Sequence, residues 1–280
     1  MDLGAFETPG RFPVGERQNR TLLPVFDALS RTDVAGCSCL DIGAMSGLVS
    51  FGLSRLGASR VVATDALDVA SFRLARDVLG LDVEYHPRTQ FDTLRATLEG
   101  ERFDLIVCAG VLYHMLNPFS AIAECRKMLN PGGLLILETA FAPQMTEPGM
   151  LFNASADRPD PEPYTYWRPS ASGVEGMMQL AAFDVLDDSR LLDPPRLAVI
   201  GRAVAPEAVS ERSPLMTRMH ELDLCDETLK LDGLESGPTV SGPAYRAGER
   251  GRVLDPASHA VKFPFHIDYP ESAVGRGQRI

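Results

Sequence analysis

The sequence predicts an α/β fold, a doubly wound, mostly parallel seven-stranded sheet with a helix before it and an extension after it. Three observations carry that expectation. From residue 37 onwards, short apolar runs bounded by turn residues alternate with segments of helical periodicity. Two of the runs, Cys39-Leu40-Asp41-Ile42 and Phe103-Asp104-Leu105-Ile106-Val107-Cys108-Ala109, are apolar almost throughout, as strands covered on both faces should be. The first run also ends in a glycine bend, Gly43-Ala44-Met45-Ser46-Gly47, that opens a helix. Two glycines four residues apart let a ligand come close to the backbone at a helix N-terminus.

Residues 1–13 are punctuated by Thr8-Pro9-Gly10 and Phe12-Pro13 and read as an irregular arm. Leu22, Leu23, Val25, Phe26 and Leu29 recur at helical spacing within 16–30. They predict a lead-in helix that is either a surface element or a lid bringing Arg17, Gln18 and Arg20 over a pocket. Strand and helix then alternate: strand 37–43, helix 46–57, strand 60–65, helix 68–79, strand 82–86, helix 91–99, strand 103–109 and helix 118–129. The run Asn130-Pro131-Gly132-Gly133 should stop the last of these before a strand at 134–139. Residues 142–169 break the rhythm with six prolines, and there Tyr164, Tyr166 and the single Trp167 point to a packed loop on the substrate side. A helix near 170–181 and strands near 183–190 and 196–204 complete the pattern. The boundaries expected are an arm and lid helix at 1–35, a ligand-binding domain at 36–204 and an extension at 205–280. The extension carries one helical stretch within 206–231 and one apolar patch, Val261–Pro270; it reads as a cap, a homodimer contact or disordered chain.

Bulk composition narrows the function classes. A formal net charge of −11 disfavours a partner held by its phosphate backbone, because that affinity rests on Lys and Arg. The five cysteines include no C-x-x-C pair, so buried thiols of a reducing cytoplasm are expected in preference to a metal or redox use of Cys37 and Cys39. No segment approaches the roughly 18 apolar residues of a membrane span, and the N-terminus lacks the shape of a signal peptide. The chemistry concentrates at two strand ends. Asp65 closes Arg60-Val61-Val62-Ala63-Thr64-Asp65 and lies 22 residues after Gly43. That is close to the interval at which an acid meets a ribose hydroxyl in nucleotide-binding βαβ units. Bend and acid together point to an adenosine-containing cofactor. Met45 stands where a G-x-G-x-x-G fingerprint would have its middle glycine, which argues against NAD.

Asp41-Ile42-Gly43-Ala44-Met45-Ser46-Gly47, the Asp65 strand end, Phe103–Val107 and Leu129-Asn130-Pro131-Gly132-Gly133-Leu134-Leu135-Ile136-Leu137-Glu138-Thr139 together resemble class I S-adenosylmethionine-dependent methyltransferases. Gly110-Val111-Leu112-Tyr113-His114-Met115-Leu116-Asn117-Pro118 is similar to the branch containing the tRNA wobble-uridine carboxymethyltransferase and its small-molecule relatives. The resemblance spans about 36–204 and implies a Rossmann-like fold with S-adenosyl-L-methionine as cofactor. It implies that Asp41, Gly43, Ala44 and Gly47 surround the methionine moiety, Asp65 the ribose, Thr89 and Gln90 the adenine, and Ala109 and Gly110 the sulfonium. It further places Tyr113 where the carboxymethyltransferase contacts the extra carboxylate of its cofactor.

Methyl transfer from a sulfonium is an in-line displacement that depends on alignment, with a base needed for O–H or N–H acceptors. His114 and Glu138 stand at the right strand ends for that task, although each also reads as a structural residue, His114 as a cap and Glu138 as a hydrogen-bonding partner. Tyr113 is the residue expected to touch ligand, while Tyr164, Tyr166, Trp167 and Arg168 line the acceptor side or pack in the core. His259 and His266 read as surface or packing residues. Three functions follow. The favoured one is methyl transfer to a small-molecule acceptor. A cyclase or lyase acting on the cofactor's own aminobutyrate chain would form a product such as azetidine-2-carboxylate and release methylthioadenosine. A tRNA-modifying enzyme would need a basic face that the composition does not advertise.

Overall fold

The computed structural model describes residues 20–153, 165–205 and 242–255. The central sheet has eight strands: β1 Ser38–Ile42, β2 Arg60–Asp65, β3 Glu84–Pro87, β4 Phe103–Ala109, β5 Leu129–Ala140, β8 Phe183–Leu192, β9 Pro195–Ala203 and β10 Arg252–Val253. A separate two-stranded ribbon pairs β6 Met150–Phe152 with β7 Trp167–Pro169. Spatial order in the sheet is β10-β8-β9-β5-β4-β1-β2-β3. The six pairings among β1 to β5, β8 and β9 are parallel except for β9, which runs antiparallel to both β5 and β8. The seven strands expected from sequence are therefore present, and β10 adds an eighth at the edge of β8.

Helices cover both faces. Helices α1 Leu23–Leu29, α2 Leu48–Arg55 and α3 Ala70–Leu79 pack on one side through Val25, Phe26, Phe51, Leu53 and Phe72 against Val61, Leu105, Val107 and Ile136. Helices α4 Phe91–Thr97, α5 Pro118–Lys127 and α6 Ala171–Leu180 pack on the other. There Leu94, Ile122, Val174 and Met178 meet Leu40, Ile106, Leu135 and Val199. Alternate residues of β4 and β5 thus point into different layers, which is why both strands read as unbroken apolar runs. Helix α1 lies within the stretch expected to be helical, and its residues are almost all buried against the sheet. Arg20 is exposed; Arg17 and Gln18, the rest of the expected lid, lie outside the described residues.

Two departures from the sequence reading have physical causes. Helix α5 ends at Lys127, and Asn130-Pro131-Gly132-Gly133 does not form the helix stop expected there; it lies within β5. Pairing passes from Phe103↔Leu129 straight to Leu105↔Leu134, so residues 130–133 bulge opposite Asp104. The Asp104 carboxylate holds that bulge. It accepts from Asn130 Nδ2 (2.8 Å) and from the backbone N–H and hydroxyl of Ser38 (2.9 and 2.8 Å). The second departure is residues 242–255, which lie along the sheet edge. Asp187 Oδ2 accepts from Tyr245 Oη (3.0 Å), from Gly248 N–H (2.7 Å) and from Arg31 Nη1, tying this segment to β8 and to the end of α1. The helix expected within 206–231 and the patch at 261–270 lie outside the described residues.

Candidate functional site

In this strand order the chain departs in opposite directions from the β1–β4 pair, towards β2 and β3 on one side and β5 on the other. Open α/β sheets hold ligands beyond the carboxyl ends of the strands at such a switch point. Here those ends are Ile42, followed by Gly43, and Ala109, followed by Gly110.

The glycine bend after β1 is anchored to the end of β2. The N–H groups of Gly43 and Ala44 both donate to the Thr64 carbonyl (2.9 and 3.0 Å), and Met45 N–H donates to Asp65 Oδ2 (2.8 Å). Gly43 takes φ +81°, and a Cβ there would come within 2.4 Å of Val111 Cγ2, so no other residue fits. Gly47, the N-cap of α2, takes φ +87°, with the Phe51 ring 2.4 Å from where its Cβ would be. Met45 adopts φ +47° in spite of its side chain, held by Asp65 and by its place between the two glycines. Asp41 lies beneath the bend, fully buried, and accepts from Ser50 Oγ (2.5 Å). Burial pushes its carboxyl up to about 7; the Ser50 hydrogen bonds pull it down and the neighbouring Asp65 charge adds to the rise.

Asp65 turns both carboxylate oxygens into this region. Oδ1 accepts from Leu67 N–H (2.8 Å), as Oδ2 does from Met45, and its backbone carbonyl accepts from Thr89 N–H (2.9 Å). Thr89 is thereby buried next to Asp65, while Gln90 is exposed and caps α4, with its N–H donating to Thr93 Oγ1 (3.0 Å). Asp41, Gly43, Ala44, Gly47, Asp65 and Thr89 therefore converge on one bend, with Gln90 at its rim.

The end of β4 builds a second cluster. Gly110 (φ +73°) donates its N–H to Glu138 Oε2 (2.9 Å) on β5. Glu138 is 0% exposed and is paired bidentately with Arg196 of β9, whose Nε donates to Oε1 and whose Nη2 donates to Oε2 (2.8 Å). The Arg196 guanidinium carbon sits 4.8 Å from the centre of the Tyr113 ring. Burial alone would lower the Arg196 pKa, but the Glu138 carboxylate and Tyr113 hold it above the ordinary value. Tyr113 belongs to a 3₁₀ turn, Leu112–His114, and is buried; His114 next to it is exposed, with its ring 4.2 Å from that of Tyr113. Glu138 thus accepts three hydrogen bonds, two from Arg196 and one from Gly110.

The residues expected on the acceptor side meet the same turn. Tyr166 N–H donates to the Tyr113 carbonyl (2.8 Å), and Trp167 Nε1 donates to the Leu116 carbonyl (3.0 Å). Tyr166 is exposed, Trp167 and Arg168 are half-buried in β7, and Tyr164 lies outside the described residues. Arg196 is the site residue that the sequence reading missed. It follows Asp193-Pro194-Pro195 and reads there as a turn cation; only pairing β9 antiparallel to β5, with Ala140↔Arg196 in register, brings it to Glu138. Among the described residues no group of His, Cys, Asp or Glu could hold a metal ion, and no helix is long and apolar enough to cross a membrane. Cys37, Cys39, Cys108 and Cys125 are buried free thiols, and burial raises the pKa of Cys37 and Cys39.

A family model described as a methyltransferase domain matches residues 14–187, more than half of the chain. The chain is 38% identical over 106 residues to a ubiquinone biosynthesis O-methyltransferase of Cereibacter sphaeroides, covering 37% of this chain and 41% of that protein. It is 34% identical over 111 residues to a tRNA U34 carboxymethyltransferase of Campylobacter hominis, covering 39% and 38%. The alignments thus reach about two fifths of the length of these curated relatives. Among solved structures, the 1,6-didemethyltoxoflavin-N1-methyltransferase of Burkholderia thailandensis, with bound S-adenosylhomocysteine, superposes with a TM-score of 0.50 at 16% identity, over 71% of this chain and 92% of that one. The 4+2 cyclase SpnF gives 0.52 at 16% identity, over 71% and 86%. At such identities the likeness speaks for the fold.

Proposed function

The chain belongs to the family of that methyltransferase domain, whose cofactor is S-adenosylmethionine, and on this premise we propose that it transfers a methyl group to a small-molecule acceptor. The observation that carries the reading is the meeting of the glycine bend and the Asp65 carboxylate at the switch point of the sheet. The residues fit the cofactor. Gly43 has no room for a side chain, the Asp65 oxygens each keep a lone pair beyond their backbone partners, and Gly110 leaves the end of β4 bare. In our assignment Asp41, Gly43, Ala44 and Gly47 hold the methionine end, Asp65 the ribose, Thr89 and Gln90 the adenine, and Ala109 and Gly110 the reacting end. Bound there, the cofactor supplies an electrophilic methyl group on a sulfonium.

This chain's own part is alignment and proton handling. Tyr113, Tyr166, Trp167 and Arg168 orient the acceptor, and Tyr164 is assigned with them from sequence alone. His114, exposed on the rim beside Tyr113, is assigned the role of base. Glu138 acts by position, its charge paired bidentately with Arg196 and its Oε2 also accepting from Gly110 N–H. A small acceptor agrees with the acidic net charge and with the name of the ubiquinone biosynthesis relatives.

The test is incubation with S-adenosylmethionine alone, with a panel of phenols, catechols and small acids, and with bulk tRNA, followed by mass analysis. The reading expects S-adenosylhomocysteine together with a methylated small molecule. Methylthioadenosine formed without acceptor would replace it by the cyclase or lyase alternative, and methylated tRNA as the sole product would replace it by the tRNA-modifying one.

A further inference from the structure

We propose that residues 261–269 of this chain lay an apolar face on the exposed aromatic side of the β6–β7 ribbon, capping the candidate site beside the Tyr113 turn. The inference is independent of which group the site transfers.

The ribbon presents an apolar face to solvent. In its antiparallel register Phe152 opposes Trp167 and Met150 opposes Pro169, so these four side chains share one side. The Phe152 and Trp167 rings are 4.6 Å apart between centres, and Leu116, whose carbonyl accepts from Trp167 Nε1, adjoins them. Leu116 is 67% exposed, Phe152 45% and Met150 39%. Isolated exposed hydrophobic residues are ordinary. A contiguous group on a two-stranded ribbon, which is marginal by itself, points to a cover.

The chain itself supplies a matching surface. Val261, Phe263, Phe265, Ile267 and Tyr269 alternate with Lys262, Pro264, His266 and Asp268. That period of two gives an extended segment one wholly apolar face. Pro264, with no N–H to offer, suits an outermost strand. Residues 154–164, which join the two ribbon strands, carry Asp157, Arg158, Asp160 and Glu162 beside one large apolar side chain, Tyr164, and offer no comparable face.

The path of the chain fits as well. Ala140 at the carboxyl end of β5 pairs with Arg196 near the start of β9, and Leu192 at the end of β8 pairs with Pro195. Strand β10 runs parallel to β8, so the chain climbs towards the ligand end of the sheet. There Leu254 packs on Leu23 and Leu191, and the following residue, Asp255, leaves at the level of the candidate site. Strands β10, β8, β9, β5 and β4 lie side by side, and four spacings between them come to about 19 Å. The six steps from Asp255 to Val261 reach about 20 Å when extended. The apolar run therefore begins where the Leu116 turn and the ribbon stand.

Trp167 is the single tryptophan of the chain, so its fluorescence reads the cover directly. Acrylamide is expected to quench it at least about two-fold more strongly in the full chain carrying Phe263→Ser and Phe265→Ser than in the wild type, because the cover loses two large apolar contacts. His266→Ala with Asp268→Ala, on the other face, should leave the quenching unchanged. A second measurement keeps the aromatic packing. With p-benzoylphenylalanine in place of Phe265, light should join that position to peptides bearing Phe152 or Trp167 of the same chain. Equal quenching in the wild type and the apolar-face variant, an equal rise in the polar-face variant, or photo-links to other parts of the chain overturn the proposal. Quenching that strengthens on dilution, or photo-links only between chains, assigns the cover to a second copy and overturns it too.

Discussion

Asp65→Ala probes the site where sequence and structure agree most closely. The carboxylate accepts one backbone N–H on each oxygen, from Met45 and from Leu67, both at 2.8 Å. Hydrogen bonds to a charged group contribute about 1.5–3 kcal/mol each. Removing two would cost ~3–6 kcal/mol if nothing relaxed. Met45 is 46% exposed, so water can reach its freed N–H, and the lower end, about 3 kcal/mol, is the expected loss of folding stability. Binding suffers separately. If two ribose hydroxyls donate to the same oxygens, their loss is again about 3–6 kcal/mol, or roughly 10²- to 10⁴-fold in Kd at 1.4 kcal/mol per decade. Asp65→Asn keeps one acceptor oxygen and should fall between, near ten- to a hundred-fold. Urea unfolding gives the first quantity and isothermal titration with S-adenosylhomocysteine the second. A folded Asp65→Ala protein that binds within three-fold of the wild type would refute the ribose assignment.

Gly43→Ala should abolish measurable binding and cost about 1–2 kcal/mol from the left-handed backbone alone, plus the clash with Val111; adding Val111→Ala should recover stability in thermal unfolding but only the steric share of it. Asp41, raised to about 7 from an ordinary 3.8, binds its proton more tightly folded than unfolded. Stability should therefore fall as pH rises from about 4 to about 7, by up to ~1.4 kcal/mol per unit, and Asp41→Asn should flatten that slope in urea titrations at pH 5 and 8. Asp187→Ala leaves Arg31 with Asp27 as its remaining carboxylate partner, takes the acceptor from Tyr245 Oη and Gly248 N–H, and should cost about 3–5 kcal/mol and expose the 242–255 segment to protease.

What the sequence reveals here depends on whether a feature is local. Strands β2 and β4 appear at the expected residues, since a doubly covered strand shows itself as an apolar run. The Gly43 bend and Asp65 were legible for a similar reason, one from its backbone demand and the other from its interval. The start of β5 was not, because Asn130-Pro131-Gly132-Gly133 has turn composition and only the Asp104 carboxylate explains its place in a sheet. Strand β10 has two residues, too few for any periodicity, and exists through donors to Asp187 and Asp188. Arg196 lies 58 residues from Glu138 and acquires its role only when β9 turns back along β5. The β6–β7 ribbon was hidden for the same reason, as a pairing across the proline-rich stretch.

The most direct measurement is a crystal structure with S-adenosylhomocysteine bound. The ribose hydroxyls should lie within hydrogen-bonding distance of Asp65, the amino-acid end against Gly43 and Ala44, and the sulfur beside Ala109 and Gly110. A ligand lodged elsewhere on the chain, or a β1–β4 switch point filled by side chains in the ligand-saturated crystal, would contradict the site and the function built on it.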